Sequence, residues 1–355
     1  MTIYEKAGGR KCFLDILRVA ATCAVVLLHT VTGVMDTTDM SLYPTEKKVF
    51  LVILDLITWC VPIFILISGY LFLNPDREIT FMQMLKKYCK RIVLALFLFG
   101  VPYACMEQIA LEHTFRLEMA GKSIVMVFLG KTWSHMWYLY LILFLYLITP
   151  GLKMLLKKMP VPLLYGILAV LFLGSSVVPF IKKLCGLEEL PALPDGGIYL
   201  FYYLCGYLFA RSAARRGGAG SLFDKKGRKY ILPACMALLA AGMAVSRLGT
   251  YSVQMAYNYP FTVLLSLMLM STAGQAEAKL CTKNTALWKN LGALCFGVYL
   301  IHPVFVNILY KFLHITLLDF QVGLSLPLFF TVILFLSLGA AWVLYKIPLL
   351  RKYVL

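Results

Sequence analysis

Residues 13–30 read Phe13-Leu14-Asp15-Ile16-Leu17-Arg18-Val19-Ala20-Ala21-Thr22-Cys23-Ala24-Val25-Val26-Leu27-Leu28-His29-Thr30. The run is apolar over the length that crosses a roughly 30 Å hydrocarbon layer, yet it holds three ionisable side chains. Each such group costs roughly 2.5–3.5 kcal/mol at the centre of a membrane helix, so it needs a partner or a function. Arg18 follows Asp15 by three residues and can pair with it on one helix face. Between Arg18 and His29 the helix turns through about 1100°, which brings them within roughly 20° of one line, about 16 Å apart along the axis. The three polar groups therefore form one stripe that faces a bundle interior. Arg18 could instead snorkel to headgroups, and His29 could serve only as an interhelical hydrogen bond. Their shared face favours function.

The rest of the chain repeats the apolar pattern. Of 355 residues 61% are apolar and 14% charged, against roughly 25% charged in soluble domains, and the mean hydropathy is +0.81. Apolar blocks near 13–34, 49–73, 88–110, 135–156, 161–181, 196–210, 230–246, 259–275, 290–312 and 326–346 predict about ten transmembrane helices. No connecting segment is long enough for a folded soluble domain, so residues 1–355 form one all-α polytopic membrane domain. The first block runs past the length of a signal-peptide core and lacks a small-residue cleavage pattern, so it reads as a span. Segment 121–132 is too short to span and is expected at the outer interface.

The net charge of +17 does not indicate nucleic acid, because its distribution follows the spans. On the side of both termini the loops hold 24 Lys and Arg, seven of them in the basic loop 211–229; the other side holds nine. By the positive-inside rule both termini face the cytoplasm, with the lipid bilayer and its anionic headgroups as partner. The ten cysteines show no CxxC pair and no zinc-like spacing, and no metal site is expected. Cys105 and Cys185 are the pair that an outer disulfide could join.

The string LDILRVAATCAVVLLHT resembles the first helix of the acyltransferase 3 family, which is marked by Arg, ten residues, then His. Val61-Pro62-Ile63-Phe64-Ile65-Leu66-Ile67-Ser68-Gly69-Tyr70 resembles its second-helix segment ending in Ser-Gly. His135-Met136-Trp137-Tyr138-Leu139 and Phe296-Gly297-Val298-Tyr299-Leu300-Ile301-His302-Pro303 resemble its later His-x-Trp and Tyr-Leu-x-His segments. The likeness covers essentially the whole chain. One departure is Lys86-Lys87-Tyr88-Cys89-Lys90-Arg91, where many members have Arg-x-x-Arg; the planar guanidinium fork is reduced to Arg91. No extracytoplasmic hydrolase-like domain is appended, so the membrane domain is expected to finish transfer alone or hand over to another protein.

The resemblance implies a cell-membrane protein that moves an acyl group, commonly acetyl, from cytoplasmic acyl-CoA to a hydroxyl of a glycan or lipid-linked sugar. His29 is the candidate base, since a neutral imidazole suits proton abstraction near pH 7. Arg18, Lys87, Lys90 and Arg91 are the candidate cations for the CoA phosphates, and Asp15 orients Arg18 or simply pairs with it. Ser68 and Gly69 could touch substrate, or serve tight helix packing. His135, Trp137 and Tyr138 are candidate acceptor contacts, the aromatics reading equally as an interfacial belt. His302 is a structural hydrogen-bonder, a proton relay or an acceptor contact. Asp55, mid-span, is expected to pair in the bundle interior with Arg18 or a histidine, and the sequence does not say which. The competing reading is a transporter or binding protein without acyl transfer; the repeats and matched broken helices of many transporters are not visible in the sequence.

Overall fold

The structure is a computed structural model that describes residues 11–114, 116–187, 191–194, 196–216, 228–248, 256–280 and 285–355. Among the described residues it is helical, without strands. In chain order the helices are α1 (Cys12–Thr37), α2 (Pro44–Ile57), α3 (Cys60–Phe72), α4 (Phe81–Glu112), α5 (Glu118–Phe128), α6 (Ser134–Lys158) and α7 (Val161–Cys185). They continue with α8 (Gly196–Arg216), α9 (Arg228–Leu248), α10 (Pro260–Leu280), α11 (Thr285–Phe312), α12 (Val322–Lys346) and α13 (Pro348–Tyr353).

Seven stretches among the described residues are long and apolar enough to cross a membrane, counting α2 and α3 as one. Ten were expected. Helices α8, α9 and α10, of 21 residues each, stand where the sixth to eighth spans were placed. The outward faces are apolar: Leu155, Val170 and Phe335 are 60%, 61% and 67% exposed. A bilayer is the solvent that such a surface needs, and the protein is a multi-pass membrane protein.

The second span departs from the expected continuous helix. It breaks at Thr58 and Trp59, between α2 and α3. Pro62 explains the break, because its ring nitrogen cannot donate to the Thr58 carbonyl four residues back. Three π-helical segments, Met84–Cys89, Leu173–Val177 and Ile308–Phe312, also interrupt the regular ladders of α4, α7 and α11. Helix α5 fills the place of the short apolar segment 121–132. Of the basic loop 211–229, residues 211–216 end α8 and 228–229 begin α9, and the rest lies outside the described residues. Cys105 and Cys185 are both free, so the disulfide does not form.

Helix α1 is the hub, packing on α2, α3, α10, α11 and α12. It runs parallel to α11, and small residues let the two approach at both ends. A Cβ on Gly292 would meet Asp15 Oδ1 at 2.8 Å, and one on Gly33 would meet Val306 Cγ1 at 2.7 Å. Between these points α1 carries Arg18 and His29. On the other side α3 packs on α8 through Gly69 and Gly206; a Cβ on Gly69 would fall 2.0 Å from the Tyr203 carbonyl oxygen.

Candidate functional site

A cavity of about 970 Å³ runs beside α1 and is lined along its length by Arg18 and His29. The periodicity of α1 puts both on the cavity side, and Asp15 one turn below Arg18 is buried against Gly292. Arg18 Nη1 donates to Asp15 Oδ1 at 2.8 Å, with the Asp15 side chain 2% exposed and that of Arg18 13%. The carboxylate thus fixes the guanidinium of a residue that lines the cavity.

Cations gather at the Arg18 end. Lys87 and Arg91 of α4 line the cavity, and so do Arg77, Lys289, Arg351 and Lys352. Arg91 Nε donates to the Val354 carbonyl at 2.8 Å and its guanidinium lies over the Phe296 ring. Arg77 reaches the Leu71 carbonyl at 3.1 Å and the Tyr88 hydroxyl at 2.5 Å. Lys90 lies outside the lining, its ammonium 5.4 Å from the Tyr353 ring centre.

At the far end three histidines from three helices converge. The rings of His29 on α1 and His302 on α11 lie 5.1 Å apart, those of His29 and His135 6.2 Å, and those of His135 and His302 5.8 Å. His135 sits in the single 3₁₀ turn Ser134–Met136 that opens α6. The Tyr299 hydroxyl donates to its carbonyl at 2.5 Å, and Tyr103, stacked on Trp133, flanks its ring. His29 and His135 line the cavity, whereas His302 stands behind them, fully buried.

Aromatic side chains close that end. Trp137 stacks on Tyr257 at 5.9 Å, and Tyr138 packs against Tyr299 at 5.7 Å. Ser68 lines the cavity within hydrogen-bonding reach of the Tyr138 hydroxyl. Gly69 does not line it and packs instead on the backbone of α8. Asp55 is buried on α2 near Tyr259 and does not line the cavity.

Of the residues expected from the sequence, the cavity gathers Arg18, His29, Ser68, Lys87, Arg91, His135, Trp137 and Tyr138. Asp15 and His302 stand directly behind it. The sequence reading missed Arg77, Lys289, Arg351, Lys352 and Tyr257 as lining residues. In the sequence these cations carry only a topology signal, and nothing near Tyr257 marks it. No group of His, Cys, Asp and Glu among the described residues has the arrangement of a metal site.

One cavity thus joins a group of cations to a cluster of imidazoles. No curated protein and no solved structure matches the chain. A family match, by contrast, takes in nearly all of this architecture, from Phe13 at the start of α1 to Lys346 at the end of α12: over residues 13–346 the chain is an acyltransferase domain, and it belongs to the acyltransferase 3 family.

Proposed function

We propose that the protein is an O-acyltransferase that moves an acyl group, most simply acetyl, from cytoplasmic acyl-CoA to a hydroxyl of a surface glycan or lipid-linked sugar. The observation that carries this reading is one continuous cavity with cations at the Arg18 end and histidines at the other. The diphosphate and 3′-phosphate of CoA bind at Arg18, Lys87 and Arg91, and the pantetheine arm follows the stripe of about 16 Å to His29. His29 takes the proton of the acceptor hydroxyl, whose oxygen attacks the thioester carbonyl. The C–S bond breaks, the acyl group passes to oxygen, and the leaving thiolate takes the proton back from His29 as CoA thiol. His135, Trp137, Tyr138 and Ser68 line the acceptor end, with Tyr257 beside them.

In this reading ten helices span the cytoplasmic membrane with both termini inside, so that Arg18 opens toward cytoplasmic acyl-CoA and His29 toward the outer side. The 24-to-nine split of Lys and Arg supports that orientation.

The break between α2 and α3 gives a transporter reading one point of support, since discontinuous helices often build transport sites. Purified protein in lipid nanodiscs, given radiolabelled acetyl-CoA and membrane glycans, separates the two. Label should move to glycan without any gradient, and mass spectrometry of surface glycans from cells with and without the protein should show the acetyl groups. The absence of both transfer and hydrolysis of acetyl-CoA would exclude the enzyme reading.

A further inference from the structure

His302 is fully buried, outside the cavity, on the helix that α1 follows most closely. Its Nδ1 lies 3.1 Å from the Val298 carbonyl oxygen, and the Tyr299 carbonyl also lies against the ring. Pro303 makes that possible. In a regular helix the Tyr299 carbonyl would receive the N–H of residue 303, and proline has none. A carbonyl oxygen only accepts, so Nδ1 must carry the hydrogen, and in the neutral ring that full burial favours Nε2 is a bare lone pair. That Nε2 is buried with no hydrogen-bond partner. An orphaned acceptor in a protein interior is costly enough to demand an explanation.

The nearest imidazole supplies one. The ring of His29 is 5.1 Å away, and the register that places it there is set one turn further on, where Gly33 admits Val306. We infer that His302 is the positioning residue of His29: a small rotation of the two neighbouring rings lets its Nε2, partnerless in this arrangement, accept the N–H of His29, which leaves the other His29 nitrogen unprotonated for the cavity that His29 lines. The device does for His29 what a buried carboxylate does for the histidine of a serine-hydrolase triad, namely fixing tautomer and ring orientation. Here it does so without adding a charge to the membrane interior, where a carboxylate would be expensive. His135 also has a partnerless Nε2, but its ring is farther from His302, at 5.8 Å, and lines the cavity, where an acceptor can reach it.

This inference rests on the acyltransferase reading for its catalytic consequence, though not for its chemical content. The tautomer is readable without turnover. In nitrogen-15 spectra of histidine-labelled protein in nanodiscs, His302, assigned by its loss in His302→Leu, should be protonated at Nδ1 and bare at Nε2; the opposite tautomer overturns the proposal whatever the enzyme does. The kinetic arm uses variants that separate the two ring nitrogens. A glutamine amide reaches the Nε2 position and can accept there, whereas an asparagine amide reaches only the Nδ1 position. His302→Gln should keep kcat within about tenfold of wild type, and His302→Asn and His302→Leu should lower it about 10²-fold with KM for acetyl-CoA unchanged. In a His29→Ala background His302→Leu should cost nothing more, because a positioning residue acts only through its partner. Turnover of His302→Asn near wild type, a glutamine variant as poor as leucine, or a further loss on top of His29→Ala would each overturn it. Wild-type protein that transfers nothing while showing the expected tautomer would refute the function and leave the His29–His302 pairing standing.

Discussion

Gly33 of α1 faces Val306 of α11 so closely that an added Cβ would sit 2.7 Å from Val306 Cγ1. His29 and His302 lie one turn back on the same two faces, their rings 5.1 Å apart. The glycine therefore sets the helix separation that brings the two imidazoles together. Gly33→Leu should pry the helices apart at this level and lower acyl transfer about tenfold or more, a loss of the size that small misplacements at a reacting centre produce. The shortest contact is with the Val306 side-chain tip and the Tyr310 ring stands next at 3.0 Å, so Val306→Ala should restore part of the activity in the double variant. Radiolabel transfer at matched membrane abundance reads both, and a double variant no better than Gly33→Leu alone would show that spacing is not the cause.

Ser68 and Gly69 are neighbours with opposite expectations. A Cβ on Gly69 would fall 2.0 Å from the Tyr203 carbonyl oxygen, which is backbone and cannot swing away. Gly69→Ala should destabilise the α3–α8 contact by about 1–3 kcal/mol, the usual cost of overpacking. Ser68→Ala removes a hydroxyl from the cavity wall and should leave the melting temperature near wild type while changing turnover. Thermal unfolding in detergent, set beside activity per folded molecule, tells them apart: an unshifted Tm for Gly69→Ala would return Gly69 to the list of substrate contacts.

What the sequence made legible follows from helical periodicity. The Arg18–His29 stripe could be read because both residues belong to one helix, and the likeness of four ordered segments to one family extended that reading to the whole chain. Convergence of His29, His135 and His302 could not be read, since it needs three helices drawn together from across the chain. Gly69 was ambiguous for a related reason: a glycine beside a serine looks the same whether a ligand or another backbone comes close. The break before α3 had a visible cause in Pro62, but an apolar block of spanning length conceals it. Arg351 and Lys352 gain a place at the cavity only because α13 folds back under the bundle, beside α4.

That placement has a measurable consequence. The cations at the cavity mouth should act on the phosphates of the donor and not on its acyl arm. KM for acetyl-CoA should therefore rise with ionic strength, as expected where the Debye length shortens to about 8 Å at 0.15 M salt. KM for acetyl-pantetheine, which lacks the nucleotide, should not. Arg351→Gln with Lys352→Gln should raise KM for acetyl-CoA several-fold and leave acetyl-pantetheine unaffected. Equal effects on both donors would place the nucleotide elsewhere.

The two ends of the stripe should also separate in binding. Asp15, 2% exposed, holds Arg18 through Nη1 at 2.8 Å, and Arg18 lines the cavity. Lysine in that position keeps the charge but loses the planar fork, so it cannot hold the carboxylate and a phosphate oxygen with separate, geometrically fixed donors. Arg18→Ala and Arg18→Lys should both weaken acetyl-CoA binding. His29→Ala should bind donor nearly as wild type does and lose transfer by 10²–10⁴-fold, the usual cost of removing a general base. If Arg18 merely reached headgroups, lysine would serve as well, because either side chain can snorkel. Calorimetric titration of CoA into detergent-solubilised variants decides between these, and a wild-type affinity for Arg18→Lys removes Arg18 from the donor site.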